Sequence, residues 1–400
     1  MMIKKRRATG LAAAVLKVAV SAGLSLMALY APHATAQAPI RIGVMFPITG
    51  PIAAQGAPER DAIKMAFEEI NYTVAGRKIE LVYEDSAGKP DTGLTKIKAL
   101  VERDKVNLLL SELVSSVGAA VAPYVAEQKV PWVSTVALAS LTRTQKSPYI
   151  FRFVPSSYQY ASAAAMAAKR RGWKKVYFIG WNAPPGRESL EAVKKVFGAD
   201  NVLEPMFPNV GTPDYAPYLT KMEAGKADGV MVALWGADSP RLTRQFAEYG
   251  LAGKLPFFGI ASFTSEELLG DMPAEAAGVL SSYVYCGTMD TPENHQFVDA
   301  FRNRYKAIPG SYSYMGYMAA RMVIQALKDI NGKAEDREAF VAALHKVQTK
   351  GPMGMVSFDE HQGMVSDFYD LTVRKGKDGK LENACGDHIA QVRDPYEAFP

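Results

Sequence analysis

Cysteine is scarce in this chain. Only Cys286 and Cys385 occur in 400 residues, which rules out a cysteine-rich metal site or a small fold framed by disulfides. Histidine is scarce too: the five present are scattered, with no metal-ligand spacing. None has a carboxylate or nucleophile partner at motif distance, so no metal and no cofactor is expected. The stretch GWNAPPGRESL has glycine but lacks the Lys-Ser/Thr that a phosphate loop needs. ALWGADSPRL has no nucleophile elbow around Ser239. Glu68 and Glu69 read as the solvated face of a helix. No catalytic residue is expected.

An excess of charge is also missing, although the formal net charge is +5. MMIKKRRATG is a basic head, Leu11 to Leu29 is an apolar stretch, and Ala34-Thr35-Ala36 is a small-residue cleavage site. Residues 1–36 therefore read as a secretory signal peptide cut before Gln37. A membrane anchor is disfavoured by Lys17 and the small residues around it. Arg6-Arg7 also permits a twin-arginine signal, but the residues that follow favour ordinary secretion. The leader holds Lys4, Lys5, Arg6, Arg7 and Lys17 and no acid, so the remaining chain is formally neutral. That leaves no electrostatic case for nucleic acid or an anionic membrane. Residues 37–400 are too many for one comfortable core, and two domains are expected. In an oxidising compartment the two cysteines form either a disulfide or two separate buried thiols.

Short apolar runs alternate with helix-period segments. Ile40–Phe46 is a strand. Ile63, Ala66, Phe67 and Ile70 then recur at helical spacing, predicting a helix over Pro58 to Asn71 with Pro58 near its first turn. KIELVYE, Val106–Leu110 and Val130–Ser134 are further strands, separated by helices through Leu94, Ile97 and Val101 and over Val117 to Glu127. This is the β-α-β pattern of a parallel sheet covered on both faces. The pattern restarts at Tyr160, with strands KVYFIG, NVLEPMF, GVMVALW, LPFFGI and GVLSSYVY between helices. A helical section follows: Glu293–Ala307, Tyr314–Ile330 and Arg337–Val347. Strands GMVSFD and FYDLTVRKG come next, and the charged KGKDGK segment is a turn. The fold class is α/β, with two Rossmann-like lobes.

In open parallel sheets ligands sit at the carboxyl ends of strands. There Ser115 and Ser116 stand between the strand NLLL and a helix, where free N–H groups and a partial positive charge would cradle a carboxylate. Helix capping alone accounts for one of these serines. The next loop, STVALASLT, supplies Ala137 and Leu138. In the second half Trp181, Trp235 and Phe263 follow successive strands and suggest an apolar, π-rich wall. Of Tyr312, Tyr314 and Tyr317, at least two are expected to be core or hinge packing.

The segments IRIGVMFPITGPIAAQG, YEDSAGKPDTGLTKIKALVERDKVNLLLS, VPWVST, YIFRFVPSSYQ and GSYSYMGYMAARMVIQAL together resemble the periplasmic leucine/isoleucine/valine-binding protein family. Those proteins are type I solute-binding receptors of ABC transporters, and the resemblance spans nearly all of residues 37–400. It implies a three-segment hinge with crossings near Ser156, Tyr285 and Phe358, and a ligand cleft between the lobes. Lobe one would comprise 37–156 and 286–357, and lobe two 157–285 and 358–400. It also implies a periplasmic monomer that serves an inner-membrane permease. By the same resemblance Gln55 is a ligand contact in the first loop, Ser115 receives the ligand carboxylate, and Ala137 and Leu138 are the pair on the next loop.

Three departures from the family bear on the ligand. Leu138 replaces the usual Thr or Ser. Pro185 takes a Tyr position, with Trp181 where Asp is common. Ala261 stands where amino-acid binders carry an acid for the substrate ammonium. A buried ammonium without its countercharge loses about 3–5 kcal/mol, roughly a hundredfold or more in affinity. Asp238 and Glu266 are the nearby acids that would substitute. The expected solute is therefore a small organic carboxylate, aromatic or apolar, without an α-ammonium. The alternatives are a branched-chain or aromatic amino acid, a short amide or urea, or a sensing role in place of transport.

Overall fold

The computed structural model describes residues 37–50 and 52–398; the expected leader lies outside the described residues. Strand β1 (Ile40–Phe46) is buried at every position but Arg41, as a central parallel strand must be when helices cover both faces. Helix α1 (Ala53–Glu68) follows. It starts five residues before Pro58, where the sequence had suggested the first turn. Pro58 therefore lies inside the helix, where its missing N–H leaves the Ala54 carbonyl without an i+4 partner. Next come β2 (Thr73–Val74), β3 (Arg77–Asp85), α2 (Pro90–Lys98), β4 (Leu108–Leu110), α3 (Ser115–Glu127), β5 (Trp132–Ser134) and β6 (Ile150–Arg152). They form a six-stranded sheet ordered β2-β3-β1-β4-β5-β6, parallel except for the β2–β3 hairpin.

The second sheet is built from α4 (Ser157–Arg170), β7 (Val176–Gly180), α5 (Pro184–Phe197), β8 (Val202–Met206), α6 (Ala216–Leu219), β9 (Gly229–Ala233), α7 (Asp238–Glu248), β10 (Phe257–Ile260), α8 (Glu266–Leu269) and β11 (Leu280–Tyr283). Its parallel part runs β11-β10-β9-β7-β8. Both sheets thus repeat one order: the second long strand lies outside the first, and the others continue on the opposite side. Such an order reverses between β1 and β4 in lobe one and between β7 and β9 in lobe two. Those are the points where crevices open at strand carboxyl ends.

Helices α9 (Pro292–Tyr305), α10 (Ser311–Asp329) and α11 (Arg337–Leu344) return to the first lobe. α10 lies along α1, and Gly316 makes that approach possible. A Cβ there would stand 2.5 Å from the Glu59 carbonyl oxygen, closer than any side chain tolerates. α11 is tied on by Arg337 to the Gln128 carbonyl (2.9 Å) and by Tyr149 to Glu338 (3.1 Å).

The chain then re-enters the second sheet as β12 (Gln348–Gly351), β13 (Gly354–Phe358), β14 (Met364–Lys375) and β15 (Leu381–Val392), all antiparallel. The KGKDGK turn joins β14 to β15. Cys286, just after β11, is disulfide-bonded to Cys385 on β15. β12 and β15 were not apparent in the sequence. β15 reads LENACGDHIAQV, and among its residues only Asn383 is buried, so it lacks the apolar alternation that marks a strand.

Candidate functional site

Lobe one presents polar groups at its switch point. Asp85, at the end of β3, shapes the loop after β1: its carboxylate accepts the N–H groups of Ile48 (2.8 Å) and Thr49 (3.3 Å) and the Thr49 hydroxyl (2.7 Å). Burial pushes this carboxyl up, but the Thr49 hydroxyl and the N–H groups of Ala87, Ile48 and Thr49 outweigh it and hold the group below its ordinary range. β4 is followed by two residues with positive φ, Ser111 (φ 74°) and Glu112 (φ 102°). Such strain in side-chain-bearing residues concentrates at functional sites. The Ser111 hydroxyl donates to Glu59 Oε1 at 2.7 Å, and Thr135 Oγ1 lies 2.8 Å from the same oxygen. Glu59 is fully buried, and its other oxygen has no partner. Burial drives its pKa up to about 8, against those hydroxyls, with the nearby Glu112 charge adding to the rise. Glu112 is raised to about 7 by burial, against the N–H groups it accepts from Val114 and Leu113. Near neutral pH Glu59 is therefore mostly uncharged.

α3 begins at Ser115, with Val114 as its N-cap and no side-chain cap. Ser115 and Ser116 thus do not cap the helix. Among the described residues their backbone N–H groups have no acceptor, which leaves the positive end of α3 open.

Lobe two presents rings at its own switch point. Trp181 follows β7 and Trp235 follows β9; they pack edge to face, with centroids 4.8 Å apart and planes at 86°. Such a pair contributes about 0.5–1.5 kcal/mol beyond area burial. Both indole N–H groups are bound inside the lobe. Trp181 donates to Asp238 Oδ2 and Trp235 to the Ile260 carbonyl, each at 2.8 Å. Asp238 also accepts the Gly211 N–H (2.8 Å) and pairs with Arg241 (2.7 Å). The indoles are therefore fixed as apolar surfaces. Ala261, directly after β10, has a φ of 54° and is buried, so its backbone too is strained at a strand end.

The lobes touch across this space. Gly236 (φ 59°) follows Trp235, and a Cβ on it would stand 2.8 Å from Gln55 Nε2. Gln55 is buried, with Oε1 unpartnered. Tyr312, at the start of α10, places its hydroxyl 3.1 Å from Ser262 Oγ and its N–H 3.1 Å from Glu267. On the hinge side Asp394 is shared by the buried Arg152 and by Arg143, the latter at 2.5 Å.

The predicted residues fall as follows. Gln55 lies in the first turn of α1 and not in a loop. Ser115 and Ser116 open α3, and Ala137 and Leu138 lie between β5 and the turn Ala139–Thr142. The Ala137 carbonyl accepts the Ser157 N–H of lobe two at 3.2 Å. Trp181, Trp235 and Ala261 sit at strand ends. Phe263 does not join the wall: it is fully buried in the lobe-two core, 6.0 Å from the Phe257 ring. Neither acid considered as a substitute for Ala261 is spare. Asp238 is occupied as above, and Glu266 accepts the Gly287 N–H and the Asn383 amide. Sequence reasoning missed Glu59 and Ser111, and took Thr135 only as one of the loop hydroxyls after β5. For Glu59 a signal existed: it falls three and four residues before Ala62 and Ile63, so an acid stands on the apolar stripe of the helix.

Two lobes of matched strand order, each with a switch point at its strand ends, are the architecture of a solute receptor. The chain belongs to the periplasmic binding protein family, whose model matches residues 39–380. It is 32% identical to the ABC transporter substrate-binding protein from Sphaerobacter thermophilus, covering 89% of this chain and 99% of that one, with a TM-score of 0.85. It is 29% identical to a solute binding protein of an ABC transporter from Rhodopseudomonas palustris in complex with 3,4-dihydroxybenzoic acid, covering 90% of this chain and 99% of that one, with a TM-score of 0.84. A Leu/Ile/Val-binding protein homologue of Brucella suis is 29% identical over 92% of this chain and 95% of its own length. The fold is that of type I periplasmic binding proteins, and the chain is a periplasmic solute-binding protein of the ABC-transporter class. No described helix is long and apolar enough to cross a membrane.

Proposed function

We propose that this receptor binds a small organic carboxylate, aromatic or otherwise apolar, that carries no α-ammonium group, and delivers it to an inner-membrane permease. The observation that carries the reading is the pairing of two faces. The open N–H groups of Ser115 and Ser116 belong to lobe one, whose buried Glu59 is mostly uncharged, and the fixed Trp181–Trp235 pair belongs to lobe two. Ala261 offers no countercharge to an ammonium, and Asp238 and Glu266 are engaged within their own lobe. The dihydroxybenzoate held by the Rhodopseudomonas relative supports the same class.

A second reading, an amino-acid receptor, is favoured by Glu188, which has one buried oxygen without a partner, and by the naming of the Brucella relative.

The solute docks first on the Ser115, Ser116 and Ala137 face of lobe one. Closure of lobe two then adds the indoles and expels water, which strengthens the hydrogen bonds to the carboxylate. Binding thereby shifts an open–closed equilibrium. Isothermal titration with benzoate, hydroxybenzoates and leucine tests the reading: binding of an aromatic acid without response to leucine is expected. Micromolar leucine binding with no response to the acids would overturn it.

A further inference from the structure

On the hinge side stand two groups of opposite character, Arg143 and the half-buried Glu188, each with buried polar atoms that have no hydrogen-bond partner. Arg143 follows the lobe-one turn Ala139–Thr142, and its side chain is only 6% exposed. One Nη pairs with Asp394, while Nε and Nη1 are buried with no hydrogen-bond partner. Its guanidinium is held between two rings, 5.1 Å from the centre of Tyr158 and 4.4 Å from that of Tyr396. Glu188 lies in the first half of α5, seven residues after Trp181, and its Oε2 is buried and unpartnered. Its neighbour is Ser157, whose N–H donates to the Ala137 carbonyl in the cleft loop. Burial pushes the Glu188 carboxyl up to about 7, against the Ser157 hydroxyl and the positive charges of Arg152 and Arg143; the ion pair Arg143 makes is with Asp394.

An unfilled buried donor or acceptor is costly, most of all on a charged group. Three ligand groups can be weighed against this site. An ammonium would satisfy Glu188 but add positive charge next to Arg143 and Arg152. A second carboxylate would satisfy Arg143 but face Asp394 and a partly ionised Glu188. A hydroxyl donates one bond and accepts others, so it serves both residues without adding charge. In the absence of solute a water does the same, and the hydroxyl displaces it.

We propose that Arg143 and Glu188 form a hydroxyl-recognition subsite, so that the solute is a hydroxy-substituted organic acid whose hydroxyl lies between them while its carboxylate lies at Ser115 and Ser116. The subsite rests on the carboxylate reading above and narrows it. Arg143 is held in place by Asp394 and the two tyrosines, and Glu188 by its position on α5, so the subsite belongs in part to each lobe and is complete only when they meet.

The test is isothermal titration of benzoate, 3-hydroxybenzoate, 4-hydroxybenzoate and tyrosine against the wild type, Glu188→Gln, Glu188→Ala and Arg143→Met, with thermal melts to establish folding. The wild type is expected to prefer at least one hydroxybenzoate over benzoate by about tenfold, the worth of one well-made hydrogen bond. That preference should shrink to about threefold or less in Glu188→Ala and in Arg143→Met, and Glu188→Gln, which retains an acceptor, should keep part of it. An unchanged preference in the folded variants overturns the subsite while leaving the carboxylate reading intact. So does a wild type that prefers benzoate to both hydroxy acids. Tight tyrosine binding that is lost in Glu188→Gln overturns it in favour of an ammonium site. A wild type that binds none of the acids overturns the carboxylate reading itself, and the subsite with it.

Discussion

The two lobes share a strand order and differ in what they place at its switch point. In lobe one the strand ends carry hydroxyls, two buried acids and the open end of α3; in lobe two they carry two indoles whose polar atoms are turned inward. One scaffold therefore provides orientation on one side and cover on the other. On the proposed reading, hydrogen bonds from lobe one would fix how a solute lies, and the rings of lobe two, their N–H groups already bound, would exclude water without competing for its polar atoms. The lobes also differ in how they are held: lobe two is cross-linked by Cys286–Cys385, and the described part of lobe one has no such link.

The sharpest way to break this comparison is at the seam. Asp394 is the shared anion of Arg152 and Arg143, and removing its charge leaves buried cations unpaired. Asp394→Asn should cost about 3–5 kcal/mol in urea unfolding, and a loss below about 1 kcal/mol would show that the seam is not what holds the hinge.

Reduction of the disulfide is next in size. It joins residues 99 apart in sequence, and its loss should lower stability by roughly 2–4 kcal/mol. The change should fall on amides of β11, β14 and β15 in hydrogen exchange; equal loss of protection in β1 and β4 would contradict a lobe-specific effect.

Affinity sharpens the comparison further. Trp181→Ala removes half of the aromatic cover and should weaken solute binding about ten- to a hundredfold, or about 1–3 kcal/mol, mainly through faster dissociation in stopped-flow measurements. An unchanged off-rate would remove the indole from the cleft.

The smallest effect is on pH dependence. The folded-state pKa of Glu59 is raised from 4.5 to about 8, so its contribution to stability is fully present below about pH 4.5 and is lost as pH rises toward 8. Glu59→Gln should therefore unfold with a flatter pH profile over that window and gain on the wild type toward its upper end. Parallel profiles would mean that Glu59 ionises without penalty.

How much of this was legible in the sequence differs between strands and loops. The parallel strands were readable because burial on both faces makes them continuous apolar runs, as in Leu108–Leu110 and Gly229–Ala233. β15 was not, because an exposed outer strand needs no apolar pattern. The end of α3 and the two tryptophans could be placed because they follow strands directly. Phe263 follows a strand equally directly, yet its ring turns into the lobe core, since the turn Ala261–Thr264 coils back beside Gly259. Arg143 and Glu188 lie 45 positions apart in sequence and on different lobes, so no local pattern could have joined them. The Ser157–Ala137 hydrogen bond, which ties the elements that carry them, is supplied only by the fold.

The central claim concerns what the closed lobes grip. The most direct measurement is mass spectrometry of the small molecule released by denaturing receptor purified from its native periplasm. The account predicts an organic acid without an amine, bearing a hydroxyl as well as its carboxylate. Release of an α-amino acid in stoichiometric amount would contradict it.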